Sequence, residues 1–282
     1  MTDRLTISIV TICFNCKKDL EKTLYSFESQ LEHINPRTVE YVIVDGLSSD
    51  GTAELAQYQL ASLKKKSIQT VLISEEDNGI YDAINKGVNH SHGEWMLILN
   101  AGDVLHDEYV LRDVLRELKK YSPDVLYGNT LRINPLFEEE WKPGEVENLR
   151  ENMIFCHQSI FVRRNLREHY YNLKYKYCAD YDLILRLYLH GKNFRYIDRY
   201  ISNYSLDGVT ANKGIVEAYK DIQKIRMDNG QINAEGLWNK IMLVMGICKR
   251  YIIKMLPVTI RWKLVLILHQ KFHYKKKWRS DN

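Results

Sequence analysis

The stretch from Asp77 to Asp107, DNGIYDAINKGVNHSHGEWMLILNAGDVLHD, decides the fold class of this chain. Its run from Trp95 to Leu99 is continuously apolar, which is typical of a strand buried on both faces of a sheet. The run stops at the polar segment Asn100-Ala101-Gly102-Asp103. Ligands bind at the carboxyl ends of strands in open α/β sheets, and a hard cation on a diphosphate prefers carboxylate oxygen. The stretch therefore indicates an enzyme that handles a metal-bound nucleotide.

Three further apolar strands precede this stretch and alternate with helix patterns. The predicted strands run from Leu5 to Phe14, from Glu40 to Val44 and from Thr70 to Ser74. The predicted helices contain Leu20, Leu24, Phe27 and Leu31 at spacings of three and four, and the segment from Thr52 to about Leu63. This order predicts an α/β fold with a doubly wound, mostly parallel sheet and helices on both faces. Neither GxGxxG nor GxxxxGK occurs, so strand-end side chains must hold the nucleotide.

Motifs that are spaced along the chain resemble the family 2 glycosyltransferases, which have the GT-A fold. Four of them are SIVTICFN, EYVIVDGLSSDGT, EEDNGIYDAINKG and GEWMLILNAGD. The third is most similar to the DxGIYDAMNKG-type motif of a bacterial polysaccharide-assembly subgroup. The resemblance rests on five motifs and runs in order from about Thr6 to about Gly191, which makes it highly specific.

The resemblance implies a donor site at the ends of the first strands. Thr11, Phe14 and Asn15 would line the nucleoside pocket, and Asp45 would accept a hydrogen bond from the base or ribose. The residues that would close the donor pocket are Asp77, Tyr81, Asp82 and Lys86. Among these, Lys86 is available for the diphosphate.

Asn100-Ala101-Gly102-Asp103 occupies the place of the family's DxD-like element, but its first acidic position is Asn100. Asp103 is therefore the main candidate ligand for a divalent metal, Mn²⁺ or Mg²⁺, and Asn100 belongs to the same donor site. Mg²⁺ commonly keeps several waters and uses one or two carboxylates with substrate phosphates, so one strong ligand is tolerable.

Each of these carboxylates also has a purely structural interpretation. Asp45 before Gly46 could cap a turn, and Asp82 could favour a helix dipole. Asp103 could be the N-cap of the helix predicted around Tyr109 to Lys120. Their positions among matching motifs favour function in all three cases.

The second half supplies the acceptor side. The segment from Tyr177 to Leu187 opens an amphipathic helix that ends near Gly191, and it resembles the family's ED-x-[DE]-L helix start. Ala179 replaces the usual Glu, and Asp180 matches the catalytic base that inverting transfer requires, whereas Asp182 is the better candidate for a structural role. The strand predicted from Phe155 to Val162 carries an HQS element that resembles one in the same subgroup, with His157 and Gln158 on the acceptor side.

Composition agrees with one globular catalytic domain, residues 1–230, followed by a basic amphipathic helical extension, residues 231–282. The chain of 282 residues is 45% hydrophobic and 27% charged, which is ordinary for a globular protein. Its five cysteines form no disulfide framework, and the lone Cys13-Phe14-Asn15-Cys16 lacks the second pair that zinc needs. Asp3 and Arg4 lead straight into a strand, so no signal peptide is expected. These features predict a cytosolic protein with reduced thiols.

The tail differs from the rest of the chain in charge. From Leu237 onward there are eleven Lys and Arg residues and one acidic residue, Asp281, whereas the whole chain has a net charge of +4. The longest uncharged apolar run, Ile241 to Cys248, has eight residues, and a spanning helix needs about 20. A basic segment interleaved with aromatic residues is typical of an anionic membrane surface. The alternatives are packing on the catalytic domain or an oligomer interface, and no recognition motif indicates nucleic acid.

These features together predict an inverting glycosyltransferase of the hexosyltransferase class, peripheral at the cytoplasmic face of the cell membrane. The donor would be a nucleotide sugar, UDP-linked, and the acceptor a glycan on a polyprenyl diphosphate in capsule, O-antigen or exopolysaccharide synthesis. One alternative is a catalytically silent glycan-binding or scaffold protein, which Asn100 and Ala179 favour and Asp45, Asp103 and Asp180 oppose. Another is a nucleotidyltransferase, although no glycine- and basic-rich N-terminal loop is present to bind a triphosphate.

Overall fold

The computed structural model describes residues 4–133, 137–166, 171–205, 214–232, 244–246, 248, 255 and 276–278. The strands are β1 Ile7–Cys13, β2 Val39–Asp45, β3 Gln69–Ser74, β4 Trp95–Ile98, β5 Val104–Leu105, β6 Val125–Ile133, β7 Phe137–Trp141, β8 Ile160–Arg163, β9 Phe194–Ser205 and β10 Lys276–Trp278. The α-helices are α1 Lys17–Glu28, α2 Thr52–Lys65, α3 Ile80–Asn89, α4 Val110–Tyr121, α5 Ala179–Leu189 and α6 Ile215–Asp228. Short 3₁₀ helices cover Ser29–Glu32, Pro36–Thr38, Val146–Arg150 and His157–Ser159.

The first half of the chain forms the parallel part of one sheet, with strand order β3-β2-β1-β4. Every position of β2 is buried, and so are six of the seven positions of β1. Strands covered on both faces need apolar residues at successive positions, which explains the continuous apolar runs in the sequence. The predicted doubly wound sheet is confirmed.

Helices cover the sheet from both sides, and successive residues of β1 face opposite layers. Ile9 belongs to the core beneath α1, α2 and α4, whereas Val10 belongs to the core beneath α3 and α5. This alternation follows from the period of two in a strand. The sheet is therefore packed between two layers of helices.

The second half adds antiparallel strands to the same sheet. Strand β8 lies between β4 and β6 and is antiparallel to both, while β6 also pairs antiparallel with β7 and parallel with β9. The strand predicted from Phe155 begins only at Ile160, because the His157–Ser159 turn closes with a hydrogen bond of 3.0 Å from Ser159 N–H to Cys156 O. The turn buries two successive polar side chains, Gln158 and Ser159. Regular strand geometry would have directed them to opposite faces.

Most of the predicted extension, residues 231–282, lies outside the described residues. Within it Lys276–Trp278 forms a strand, β10, that pairs antiparallel with β7, whereas the sequence predicts helix there. Strand β7 has the sequence FEEEW, and an edge strand's unpaired N–H and C=O groups favour the addition of another strand. None of the helices in the described part of the chain has both the length and the apolar character that crossing a bilayer requires.

Candidate active site

Polar loops follow β1, β2 and β4 at the same edge of the sheet. Cys13 and Asp45, the last residues of β1 and β2, are partners in the parallel register. Backbone hydrogen bonds join the loops beyond them, since Gly46 N–H donates to Cys13 O at 3.0 Å and Ala101 N–H donates to Ile12 O at 3.2 Å. The three loops therefore lie side by side, where ligands bind in open α/β sheets.

Phe14, Gly46 and Asp77 meet at this edge. A Cβ atom on Gly46 would lie 2.6 Å from Asp77 Oδ2 and 3.3 Å from Phe14 Cδ2, so only glycine allows the other two side chains to approach. The Phe14 ring is 61% exposed, and Asp77 Oδ1 accepts a hydrogen bond of 2.8 Å from Gly79 N–H. An open aromatic face beside a carboxylate suits a nucleobase and its ribose.

Asp45, which is buried beneath this surface, and Asn15, which is exposed, both hold the loops together. The buried Asp45 carboxylate accepts hydrogen bonds from the Ser48 hydroxyl at 2.5 Å and the Ser74 hydroxyl at 2.9 Å. Asn15 has a left-handed backbone (φ 47°), and its Oδ1 accepts a hydrogen bond of 2.8 Å from Ser49 N–H. Both residues therefore have protein partners in this structure, and the donor contacts predicted for them remain predictions.

Thr11 faces the interior. Its hydroxyl is within 2.8 Å of the Tyr41 hydroxyl, and both residues are fully buried. The Tyr41 ring packs on Phe27 of α1 with a centroid distance of 4.6 Å. The period of two along β1 groups Thr11 with Ile9, which also faces this layer. The nucleoside contact predicted for Thr11 remains a prediction, on a side chain that the structure covers.

Helix α3 brings Asp82, in its first turn, and Lys86, in its last turn, into one charged group. Asp82 Oδ2 accepts a hydrogen bond of 2.9 Å from Asn78 N–H and lies 3.7 Å from Lys86 Nζ. Lys86 also pairs with Glu75 at 2.9 Å, and this hydrogen bond raises the pKa of Lys86. The Lys86 ammonium group is thus held by the carboxylates of Glu75 and Asp82. Its contact with the donor diphosphate remains a prediction.

Asp103 lies beyond the end of β4, and its side chain is buried. Its Oδ2 accepts a hydrogen bond of 2.9 Å from Gln158 Nε2, and the Cys156 thiol donates to Oε1 of the same glutamine at 2.8 Å. Burial raises the pKa of Asp103 to about 7, while hydrogen bonds from Gln158 and from the Ser205 backbone lower it. Asp103, predicted on the donor side, and Gln158, predicted on the acceptor side, are therefore in direct contact.

Asn100 and Asp103 close one turn, in which Asp103 N–H donates to Asn100 O at 3.0 Å. The side-chain Oδ1 of Asn100 is buried and has no hydrogen-bond partner in the structure as described, which costs about 1–3 kcal/mol unless a ligand satisfies it. This oxygen and the Asp103 carboxylate are hard ligands of the kind that Mg²⁺ and Mn²⁺ prefer. The described residues contain no group of three or more His, Cys, Asp or Glu side chains that could hold a metal ion. The turn therefore fits a cation that also binds substrate phosphate and water.

Asp180 lies half-buried in the first turn of α5. The Tyr81 hydroxyl is 2.9 Å from its Oδ1 and 3.0 Å from the backbone oxygen of Tyr177. His157 Nε2 is 2.7 Å from the Tyr171 hydroxyl, and burial lowers the pKa of His157 while the charge of Asp180 opposes that effect. The structure thus brings the predicted Asp180 and His157 together, and it directs Tyr81 to Asp180.

Asp182 differs from Asp180 in its surroundings. It is 2% exposed, and its two oxygens accept hydrogen bonds from Arg186 Nε at 2.9 Å and from Asn229 Nδ2 at 3.2 Å. These contacts tie Asp182 to its own helix and to the end of α6, in agreement with its predicted structural role. Oδ2 of Asp180 has no hydrogen-bond partner within the described ranges, so it can face a substrate.

Two tyrosines that no sequence motif marks complete the site. Burial raises the pKa of Tyr204 to about 12, and the charges of Asp103 and Asp180 are among the further causes. Tyr171 lies between His157 and Tyr81, with its ring stacked on that of Tyr81 at a centroid distance of 5.7 Å. Only the tertiary arrangement brings these residues to the candidate site.

The chain is similar to known proteins over most of its length. The model of the family described as "Glycosyl transferase family 2" matches residues 8–194. A relative in Mycobacterium bovis (strain BCG / Pasteur 1173P2), named PGL/p-HBAD biosynthesis glycosyltransferase, is 32% identical over 178 residues, which cover 61% of this chain and 68% of the relative. The family match, residues 8–194, includes the strand-end loops and the helix that carries Asp180.

Solved structures share the fold. The crystal structure of S. aureus TarS 1-349 in complex with UDP has a TM-score of 0.62 at 15% identity, with 87% of this chain and 71% of that chain covered. The mannosyltransferase PcManGT from Pyrobaculum calidifontis, in complex with GDP-Man and Mn²⁺, has a TM-score of 0.64 at 13% identity, with 96% and 81% covered. At these identities the likeness concerns the fold, which is that of GT-A glycosyltransferases.

Proposed function

The chain belongs to glycosyl transferase family 2 and is a glycosyltransferase, and from this membership we propose that it transfers a sugar with inversion from a UDP-linked donor to a glycan acceptor. One observation carries the proposal. The half-buried Asp180 has one oxygen bound by the Tyr81 hydroxyl, and its other oxygen has no hydrogen-bond partner among the described residues. A carboxylate with one oxygen held and the other without a partner suits a general base.

The donor lies along the strand-end edge in this proposal. The base and ribose contact Phe14 and Asp77 above Gly46, where the aromatic face is exposed and the carboxylate is close. The crystal structure of TarS, which shares the fold, is a complex with UDP, and this supports a nucleoside diphosphate as part of the donor. Lys86 then exchanges its carboxylate partners, Glu75 and Asp82, for the diphosphate.

Asp103 and the open Asn100 oxygen hold a divalent cation, Mn²⁺ or Mg²⁺, in this proposal. The complex of PcManGT with GDP-Man and Mn²⁺ supports a metal at the nucleotide sugar. When bound, such a cation supplies charge stabilisation to the leaving diphosphate. Because cation binding favours a deprotonated ligand, it would keep Asp103 charged at a pH where burial alone leaves it partly protonated.

Asp180 is the base. Its free Oδ2 takes the proton from the acceptor hydroxyl, and the acceptor oxygen forms a bond to the anomeric carbon of the donor. The bond between that carbon and the diphosphate oxygen breaks on the opposite face, so UDP leaves and the configuration inverts. His157 and Gln158 lie beside the acceptor, with burial keeping His157 neutral.

The acceptor is a glycan on a polyprenyl diphosphate at the cytoplasmic face of the cell membrane, in capsule, O-antigen or exopolysaccharide synthesis. The excess of basic residues after Leu237 supports this assignment, because basic residues near an anionic leaflet contribute roughly 1 kcal/mol each. Large apolar side chains among the described tail residues are exposed, with Val244 at 58%, Met245 at 59% and Met255 at 86%. Exposed apolar and basic groups together suit a lipid surface.

The experiment combines donor binding with product analysis. Calorimetry with UDP-, GDP- and dTDP-sugars in the presence of Mn²⁺ should give the tightest binding for a UDP-sugar. Transfer to a polyprenyl-diphosphate glycan should give a product of inverted anomeric configuration by NMR. Absence of binding for every nucleotide sugar, or a retained configuration, would contradict the proposal.

Two neighbouring acids provide a matched pair of variants. Asp180→Asn should lower transfer by roughly the 10²–10⁴-fold that loss of a general base costs, with donor affinity unchanged. Asp182→Asn should keep the transfer rate but lower the free energy of unfolding, because Asp182 is buried against Arg186. If Asp182→Asn is the variant that stops transfer, the two roles are exchanged.

A further inference from the structure

The Tyr81 hydroxyl donates to a carboxylate from a different part of the chain. It lies 2.9 Å from Asp180 Oδ1, across 99 positions of sequence. Burial raises the pKa of Tyr81 well above its ordinary value, and the charge of Asp180 adds to the effect. The phenol is therefore neutral at every pH at which the enzyme would work, and it is a permanent hydrogen-bond donor to Asp180.

Neighbouring contacts fix the Tyr81 ring. It stacks on Tyr171 with an angle of 16° between the ring planes. The Asn85 side chain pairs with the Tyr171 backbone, accepting from its N–H at 3.1 Å and donating to its O at 2.9 Å. The Tyr171 hydroxyl meets His157. Both Tyr81 and Asn85 belong to α3, so this helix determines where the phenol points.

We propose that Tyr81 is the positioning residue for the base Asp180, an inference that rests on the proposed function. Its hydrogen bond fixes the rotation of the carboxylate, so that Oδ1 is occupied and Oδ2 faces the acceptor hydroxyl. Tyr81 acts through Asp180 and contacts neither sugar. Because α3 begins three residues after Asp77, the element that borders the donor also orients the base.

Among the described residues, the other titratable groups whose charge or pKa is linked to Asp180 make no hydrogen bond to its carboxylate. They are His157, Tyr171, Cys178 and Tyr204. Burial lowers the pKa of the histidine and raises the pKa of the tyrosines and the cysteine, so all four are neutral near pH 7. Within the described part of the chain, Tyr81 is the side chain that donates a hydrogen bond to Asp180.

The test is Tyr81→Phe, which removes the hydroxyl and keeps the ring. The transfer rate at saturating donor and acceptor should fall roughly 10-fold or more, the scale of a lost hydrogen bond to a charged group. The acid limb of the pH–rate profile should move to higher pH, because the carboxylate loses a partner that favours its charged form. Calorimetric donor affinity should stay within about twofold. Tyr58→Phe, at a 73% exposed tyrosine of α2, is the matched control and should change neither quantity.

The Asp180→Asn background separates positioning from a general structural effect. In that background Tyr81→Phe should cause no further loss in single-turnover transfer, because no base remains to be positioned. A further loss there, or a weakened donor affinity, would assign Tyr81 to the donor pocket or to the fold and overturn the inference. An unchanged pH profile in Tyr81→Phe, with Asp180→Asn inactive, would overturn the inference and leave the proposed function intact. Normal transfer by Asp180→Asn would overturn the base assignment itself.

Discussion

The side-chain amide of Gln158 donates a hydrogen bond of 2.9 Å to Asp103, a carboxylate that is buried in the protein. The contact joins the turn after β4 to the 3₁₀ turn before β8. Together with a hydrogen bond from the Ser205 backbone, it favours the charged form of Asp103. Burial outweighs it and leaves the pKa at about 7. The fold therefore carries an acid that loses its proton only near neutral pH.

This acid should cost stability when it is charged. An unfolded Asp has a pKa of about 3.9, so between about pH 4 and pH 7 the folded state binds the extra proton and stability falls as pH rises. Asp103→Asn should therefore raise the free energy of unfolding at pH 8 in EDTA, by roughly 2–4 kcal/mol. The gain should shrink steadily toward pH 4, as measured by urea unfolding.

The same Asp103→Asn variant should lose Mn²⁺-dependent donor binding, because the amide removes the charged oxygen that the cation needs. Wild-type donor affinity with Mn²⁺ should decline as the pH falls below about 7. If the difference in free energy of unfolding between Asp103→Asn and wild type is equal at pH 8 and pH 4, the raised pKa of Asp103 is contradicted. If the donor affinity of Asp103→Asn at saturating Mn²⁺ equals that of wild type, Asp103 is not a metal ligand.

Gly46→Ala should disturb the surface formed by Phe14 and Asp77, which we propose binds the nucleoside, and should not change the overall fold. The added Cβ would lie 2.6 Å from Asp77 Oδ2, which displaces Asp77 and the Phe14 ring. Donor affinity should fall by roughly 5- to 100-fold, the scale of one base-stacking contact. In the control, Gly144→Ala, the nearest atom is Asn148 Nδ2 at 3.5 Å, an ordinary contact. Equal donor affinities for the two variants in calorimetry would place the nucleoside elsewhere.

Asn100→Asp should strengthen metal binding. The substitution restores an acid at the first position of the turn, where the buried Asn100 oxygen has no partner in the described structure. Mn²⁺ affinity, measured by electron paramagnetic resonance in the presence of UDP, should rise on the order of tenfold. Asn152→Asp, at an exposed position, adds the same charge away from the turn and should have no effect. Weaker Mn²⁺ binding in Asn100→Asp would show that this oxygen does not face the cation.

Replacing tail charges should release the enzyme from anionic vesicles. Truncation is unsuitable because Lys276–Trp278 pairs with β7, so we choose glutamine at Lys240, Lys249, Arg250 and Lys254. Losing four basic groups should weaken binding by roughly 4 kcal/mol on phosphatidylserine vesicles at low salt, and the difference should narrow at high salt. The control carries glutamine at the exposed Lys64, Lys65, Lys119 and Lys120. Equal co-sedimentation of both variants would assign the tail to packing.

The sequence predicts the parallel half of the sheet well, because each apolar run ends abruptly in polar residues. The runs at Glu40 and Trp95 become β2 and β4 with ends shifted by at most one residue. The inward position of Thr11 was also accessible from the sequence. It shares the odd-numbered face of β1 with Ile7 and Ile9, and this period of two outweighs its closeness to the strand end.

Contacts between distant segments could not be predicted in the same way. No local pattern indicates that Tyr81 reaches Asp180, or that Gln158 turns inward to Asp103, because both contacts depend on how α3, α5 and β8 are arranged around the sheet. The parallel pairing of β6 with β9 is a further example, since their residues are about 70 positions apart. Periodicity reports which face a residue occupies, but the neighbour on that face comes from the tertiary fold.

The saturated hydrogen bonds of Asp45 have a consequence for redesign of nucleotide preference. Ser48 and Ser74 occupy this carboxylate beneath the edge of the sheet, so Asp45 gives the loops their rigidity. Substitutions at Asp45 should therefore lower the free energy of unfolding, because they leave the Ser48 and Ser74 hydroxyls without this acceptor. Phe14 and Asp77 lie at the surface beside Gly46. Substitutions at these two positions should change the preference for a purine or a pyrimidine base and keep the protein folded.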